Sequence, residues 1–195
     1  DEVLFDRVLQ EMNERTQQHE QVFLATLTVS HHRPFDYPEG RVQWPADQRR
    51  SDYAMAYADW ALGRFLRAAA AAPWYQDTLF VVAADHGARF EGNASIPAKA
   101  YRVPIVFYAP GRTQAQEFDH LVSLMEVPGT VLDLLAVRDD QGFPGTHMLD
   151  ATAALVPVEH DYDVGLIETD GVTVLRYQQP AQTWYWQAGP RPLQQ

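Results

Sequence analysis

Three short runs with almost no polar side chains constrain this chain most: VFLATLTVS at 22–30, the TLFVVAA stretch at 78–84, and VPIVFYAPG at 103–111. A half-exposed strand alternates apolar and polar residues. A run without alternation reads as a strand buried on both faces, the habit of parallel sheets covered by helices. Residues 51–71 lie between the first two runs and have helical spacing, with an apolar side through Tyr57, Trp60, Ala61, Phe65 and Leu66. Ser51 or Asp52 is the predicted cap. Residues 2–18 place Val3, Leu4, Val8, Leu9 and Met12 at helical spacing. Pro128 fits the first turn of another helix, which carries Val131, Leu132, Leu134 and Leu135. The pattern predicts an α/β fold with a mainly parallel sheet sandwiched by helices. Its last part, 151–195, reads as a small antiparallel appendage around an Asp170-Gly171 hairpin turn. We therefore expect one domain, 1–195, made of an α/β portion (1–150) and C-terminal antiparallel strands (151–195).

Composition narrows the function. At 195 residues and 46% hydrophobic content, the chain can bury a core. Its formal net charge of −11 opposes general nucleic-acid binding, which needs basic surface. It does not oppose phosphate chemistry, because one bound cation outweighs a distant acidic surface. There is no cysteine, so any metal must use oxygen and imidazole ligands. No apolar stretch approaches the ~20 residues of a membrane span. The opening DEVLFDRVLQEM is helix-like from its first residue, which predicts a piece excised from a larger protein.

The second run ends in Asp85, His86 and Gly87. In open α/β sheets, ligands gather beyond the carboxyl ends of strands. A carboxylate and an imidazole there suit a divalent cation, and a cation there can stabilise charge on an ester and its nucleophile together. Gly87 would let the backbone turn and a ligand approach. The same tripeptide is also an ordinary way to end a strand.

Neighbouring segments add context. The stretch TLFVVAADHGAR resembles the metal-binding strand of the sulfatase branch of the alkaline phosphatase superfamily, and YRVPIVFYAPG resembles the strand that follows it there. Residues 120–137, HLVSLMEVPGTVLDLLAV, resemble that family's Asp-Ile-Ala-Pro-Thr element, with Glu126 in the acid's place and Gly129-Thr130 for Pro-Thr. Upstream, LTVSHHRPFDYP and YADWALGRFLRAAAAAPWYQDTLFVV resemble segments of the lipoteichoic acid synthase-like group of phosphoglycerol transferases. The five segments run in matching order through 22–137.

This resemblance implies a partial alkaline phosphatase-like fold and chemistry on a phosphate or sulfate ester, dependent on a divalent metal ion (manganese, zinc, magnesium or calcium). In the synthase-like members it implies work on a lipid headgroup at the outer face of a bacterial membrane, with membrane attachment through a missing N-terminal region. Asp85 and His86 fall on the family's paired metal ligands. His32 falls on its substrate-contacting, catalytic histidine, and His31 stands where the family has asparagine. Arg89 and Lys99 are candidates to bind the substrate anion. The family's nucleophile and a further acidic ligand come from an earlier segment that has no counterpart in residues 1–21, so the isolated chain is expected to be inactive. Ser30 and Thr26 read as strand residues.

Other residues have plainer readings. His19, His120, His147 and His160 read as loop or surface residues. Trp44, Tyr57, Trp60 and Trp74 read as core or helix-docking residues, and Trp184 and Trp186 as an aromatic patch on a strand. Two rival readings compete with the enzyme: a non-catalytic regulatory or lipid-binding envelope domain, and an unrelated α/β domain with a chance Asp-His-Gly.

Overall fold

The structure is a computed structural model that describes residues 1–87, 94–112, 114–138, 142–143, 147–149 and 155–186. These fall into two compact units. One comprises Asp1–Thr78 with Ala109–Arg112; the other comprises Leu79–Tyr108 and the chain beyond 112.

The first unit is built on helices α1 (Glu2–Gln17) and α2 (Ser51–Ala69). The buried stripe of α1 is set by Phe5 and Met12, with Val8 and Leu9 half-buried between them, while Val3 points to solvent. The i, i+3, i+4, i+7 rule holds, but it starts at Phe5 and not at Val3. On α2 the buried positions are Ala54, Tyr57, Ala61, Phe65 and Ala69. Three of the five are alanines with no exposed surface, so this face presents little bulk to what covers it. Phe5 stacks on Phe65 with ring centroids 5.0 Å apart. The Trp74 indole donates to Asn13 Oδ1 at 2.7 Å, and Arg64 reaches Asp6 at 2.7 Å. The cap of α2 is Arg50, which makes no side-chain cap bond; Ser51 and Asp52 lie inside the first turn. Asp52 is held there by Arg50, whose guanidinium keeps the carboxyl below its usual range.

The run 22–30 forms no ladder. Residues 20–29 carry no helix, strand or turn assignment, and Phe23, Leu27 and Val29 are exposed. The expected buried strand thus has the composition of one without the partners.

The second unit holds two sheets. Strands β1 (Phe80–Ala83) and β2 (Ile105–Tyr108) pair antiparallel, Phe80 opposite Tyr108 and Ala83 opposite Ile105. Strands β3 (Val156–His160), β4 (Asp163–Ile167), β5 (Gly171–Leu175) and β6 (Gln182–Tyr185) form an antiparallel meander in that order. The tail therefore folds as an antiparallel appendage, with Glu168 to Asp170 turning β4 into β5.

The mainly parallel sheet does not occur among the described residues: both sheets are antiparallel. Parallel neighbours need a long crossover, usually a helix. Between β1 and β2 the described chain offers only the short 3-10 helix Ala98–Tyr101, so the chain returns alongside its predecessor. Helix α3 (Val127–Leu134) starts as expected, with Pro128 in its first turn.

The core of the meander is Ile96, Val172 and Val174, with Val158, Ile167, Trp184 and Trp186 packed against it. The two tryptophans are therefore core flank and not an open patch. No helix among the described residues is long and apolar enough to cross a membrane.

Candidate functional site

Strand β1 ends at Ala83, and one further bond, from Ala84 N–H to the Pro104 carbonyl at 3.3 Å, keeps the chain beside β2. The chain then leaves the ladder, and Asp85 and His86 emerge at the tip with side chains 67% and 78% exposed. Two local bonds fix which atoms remain available. Asp85 Oδ1 accepts the His86 N–H at 2.9 Å, which leaves Oδ2 outward. His86 Nδ1 lies 2.9 Å from the Gly87 carbonyl. A carbonyl only accepts, so Nδ1 carries the proton, and in the neutral ring the lone pair sits on Nε2.

Nε2 and Asp85 Oδ2 are 3.8 Å apart. Bonds from zinc to imidazole or carboxylate run about 2.0–2.2 Å, so one cation can span the pair. The donor set, one hard oxygen and one imidazole nitrogen, suits manganese or zinc as well. Among the described residues no group of three or more potential ligands gathers.

Gly87 has a different duty from the one expected. Its N–H donates to the Ala100 carbonyl at 3.1 Å, and a Cβ on Gly87 would lie 2.1 Å from that same oxygen. What approaches here is backbone from the 3-10 helix Ala98–Tyr101, with Lys99 exposed on it. A residue far along the chain is thus docked on the turn that carries the Asp-His pair, and Lys99 is adjacent in sequence to the docking carbonyl. Arg89 lies outside the described residues.

His32 belongs to the first unit. Residues 29–35 turn tightly: His32 N–H donates to the Val29 carbonyl at 2.9 Å, and Phe35 N–H to the His32 carbonyl at 2.7 Å. The ring is exposed, with Nδ1 2.8 Å from the Arg33 carbonyl. By the same reasoning Nδ1 is the donor, which leaves Nε2 an acceptor when the ring is neutral and a donor when it is protonated. His31 bonds through Nε2 to the Ser51 hydroxyl at 2.9 Å, so its role is local.

Glu126 takes a structural role. It is 5% exposed, and its carboxylate accepts the Ser123 N–H at 2.8 Å, while the Ser123 hydroxyl accepts from Met125 N–H at 3.2 Å. This capping box explains an acid at that position without a metal. His147 is half-buried and pairs with Asp133 at 3.3 Å; His120 bonds the Met148 carbonyl at 2.7 Å.

Sequence reasoning missed one polar cluster. Arg176 grips Asp163 in bidentate fashion, Nε to Oδ1 at 2.8 Å and Nη2 to Oδ2 at 2.6 Å, and also donates to Ser95 Oγ. The Arg176 hydrogen bonds hold the Asp163 carboxyl below its ordinary value. No local motif announces three residues this far apart in sequence.

The chain superimposes on a crystal structure of an alkaline phosphatase superfamily protein from Vibrio parahaemolyticus with TM-score 0.87 and 26% identity, over 95% of this chain and 46% of that one. It has, in outline, an alkaline phosphatase-like fold and spans less than half the length of that structure. A family model described as Sulfatase matches residues 1–137, more than half of the sequence, and the chain belongs to the sulfatase family.

Proposed function

We propose that this chain is the later part of the catalytic domain of a metal-dependent sulfatase-family enzyme that hydrolyses or transfers phosphate or sulfate esters. The observation that carries the reading is the outward Oδ2–Nε2 pair of Asp85 and His86, 3.8 Å apart, inside the segment matched by the Sulfatase model. These two residues would hold one divalent cation, whose positive charge stabilises anionic ester oxygens when it is bound. His32, protonated, would donate from Nε2 to an ester or leaving-group oxygen. Lys99 and Arg89 would bind the substrate anion. The nucleophile and further metal ligands would come from polypeptide outside these residues, so the isolated chain would turn over nothing.

The finer reading is a phosphoglycerol transferase of the lipoteichoic acid synthase-like group, facing outward at the bacterial envelope and attached to the membrane by a region outside this chain. It is supported by His32-Arg33-Pro34-Phe35 and by the Tyr57-Ala58-Asp59 helix segment, which resemble that group.

The test is metal content and manganese titration on the protein made from the complete reading frame, with Asp85→Ala beside it. Loss of a residue that merely orients a ligand costs about 10–100-fold in metal affinity. Removing the ligand itself is expected to cost at least as much and to abolish ester cleavage. Unchanged metal content in the variant would remove the assignment. A wild-type protein that neither binds metal nor cleaves esters would point to the non-catalytic envelope domain instead.

A further inference from the structure

Asp85 and His86 hang between backbone anchors on either side. Before them, Ala84 N–H donates to the Pro104 carbonyl at 3.3 Å; after them, Gly87 N–H donates to the Ala100 carbonyl at 3.1 Å. Both acceptors belong to one stretch, 100–104, that begins inside the 3-10 helix Ala98–Tyr101. Whatever fixes that helix therefore fixes the turn.

The helix is fixed by the meander. Ser95 Oγ accepts from Arg176 Nη2, and the same guanidinium grips Asp163, tying β5 to β4. Ile96, 3% exposed, belongs to the meander's core with Val172 and Val174. It lies over Gly165, where a Cβ would come within 2.9 Å of its Cγ1. Tyr101 donates its hydroxyl to the Glu159 carbonyl on β3, and its ring stands edge-on to His160 with centroids 6.4 Å apart. These fastenings bracket Ala100 from both sides. The chain between them is stiff. Pro97 fixes its own φ, and the Ala98 and Ala100 N–H groups bond the Ile96 and Pro97 carbonyls at 2.9 and 2.8 Å. A short rigid element held at both ends passes on the position of what holds it.

We propose that Ser95, Ile96 and Tyr101 are positioning residues, through which the C-terminal meander sets the Asp85-His86 turn and the backbone that bears Lys99. The acid-imidazole pair is consecutive in sequence, yet its placement is governed by strands about 70 to 90 residues further along the chain. The consequence for cation affinity rests on the functional reading above. The link from meander to turn stands on the contacts alone.

The experiment uses the protein from the complete reading frame, with Ser95→Ala and Tyr101→Phe combined. Each substitution removes one hydroxyl; the Arg176–Asp163 pair and the aromatic ring stay. The readouts are amide hydrogen exchange of Gly87, followed by isotope labelling of glycine, and manganese titration. Exchange at Gly87 is expected to quicken on the order of 10-fold. Manganese affinity should fall on the order of 10-fold, the lower end for groups that orient a metal ligand. Ser95→Thr keeps a hydroxyl and should match wild type in both. Thr173→Val removes the 2.9 Å bond from Thr173 to Thr183 between β5 and β6 and should move neither. The inference is overturned by wild-type exchange at Gly87 in the double variant. It is also overturned if Thr173→Val quickens that exchange as much, because general loosening of the meander then accounts for the effect. Faster exchange with unchanged affinity, in a protein that binds manganese, overturns it as well. A wild type that takes up no manganese removes the functional reading, and exchange at Gly87 then decides the link.

Discussion

At Gly87 one hydrogen atom decides whether the Asp85-His86 turn can lie against the helix that bears Lys99. The backbone of Gly87 is not in the left-handed region, so the demand is for space and not for an unusual φ. A methyl there would press on the Ala100 carbonyl at 2.1 Å, and neither partner is a flexible side-chain end. Overpacking of this kind costs about 1–3 kcal/mol. Gly87→Ala is expected to unfold at lower urea concentration by that amount and to weaken manganese binding, because the turn must move. Retention of both wild-type values would show that the contact is slack.

Asp163 supports a second expectation at this scale. Its folded carboxyl is held below the ordinary 3.8 by hydrogen bonds from Arg176, so the unfolded chain takes up the proton first as pH falls. The stabilisation is complete above the ordinary value and is lost as pH drops through the lower, folded one. Asp163→Asn should therefore lie below wild type in urea midpoint at neutral pH. The gap should close in acid below 3.8; a gap independent of pH would mean that the charge is not what matters. The Asp85-His86-Gly87 motif was legible in the sequence because its members are consecutive. Arg176, Asp163 and Ser95 were not, because only folding brings them together.

The elements divide by how local their causes are. The helices were legible because their stripes are written in consecutive turns, and α1, α2 and α3 lie within a few residues of their expected spans. Even so, the buried stripe of α1 begins at Phe5 and leaves Val3 in water, since the position of the opposing helix decides which of two apolar rows is used. Phe65 anchors that contact from α2, 7% exposed and stacked on Phe5. Phe65→Ala is expected to destabilise the helical unit by about 3–5 kcal/mol, read from loss of helical circular dichroism in urea. A loss under about 1 kcal/mol would mean that α1 and α2 are held by other contacts.

Strands behaved differently from helices. The runs 78–84 and 103–111 do contain strands, but nothing in either run states the direction of its neighbour. The run 22–30 reads as a strand and yet has none of the bonds that define one.

For the molecule as a whole, the same contrast separates chemistry from architecture. The amino-acid order by itself determined where helices and apolar strands can form, that this chain has no thiolate to offer a metal, and that an acid and a histidine leave one strand together. Each of these follows from side chains within a few residues of one another. Only the tertiary structure decided that β1 and β2 run antiparallel, that Glu126 closes a helix cap, that Trp184 and Trp186 flank a core, and that the Ala100 carbonyl fills the space at Gly87. Those outcomes depend on which distant segment arrives at each surface, and a β-strand's ladder, unlike a helix's, is completed by hydrogen bonds to residues elsewhere in the chain.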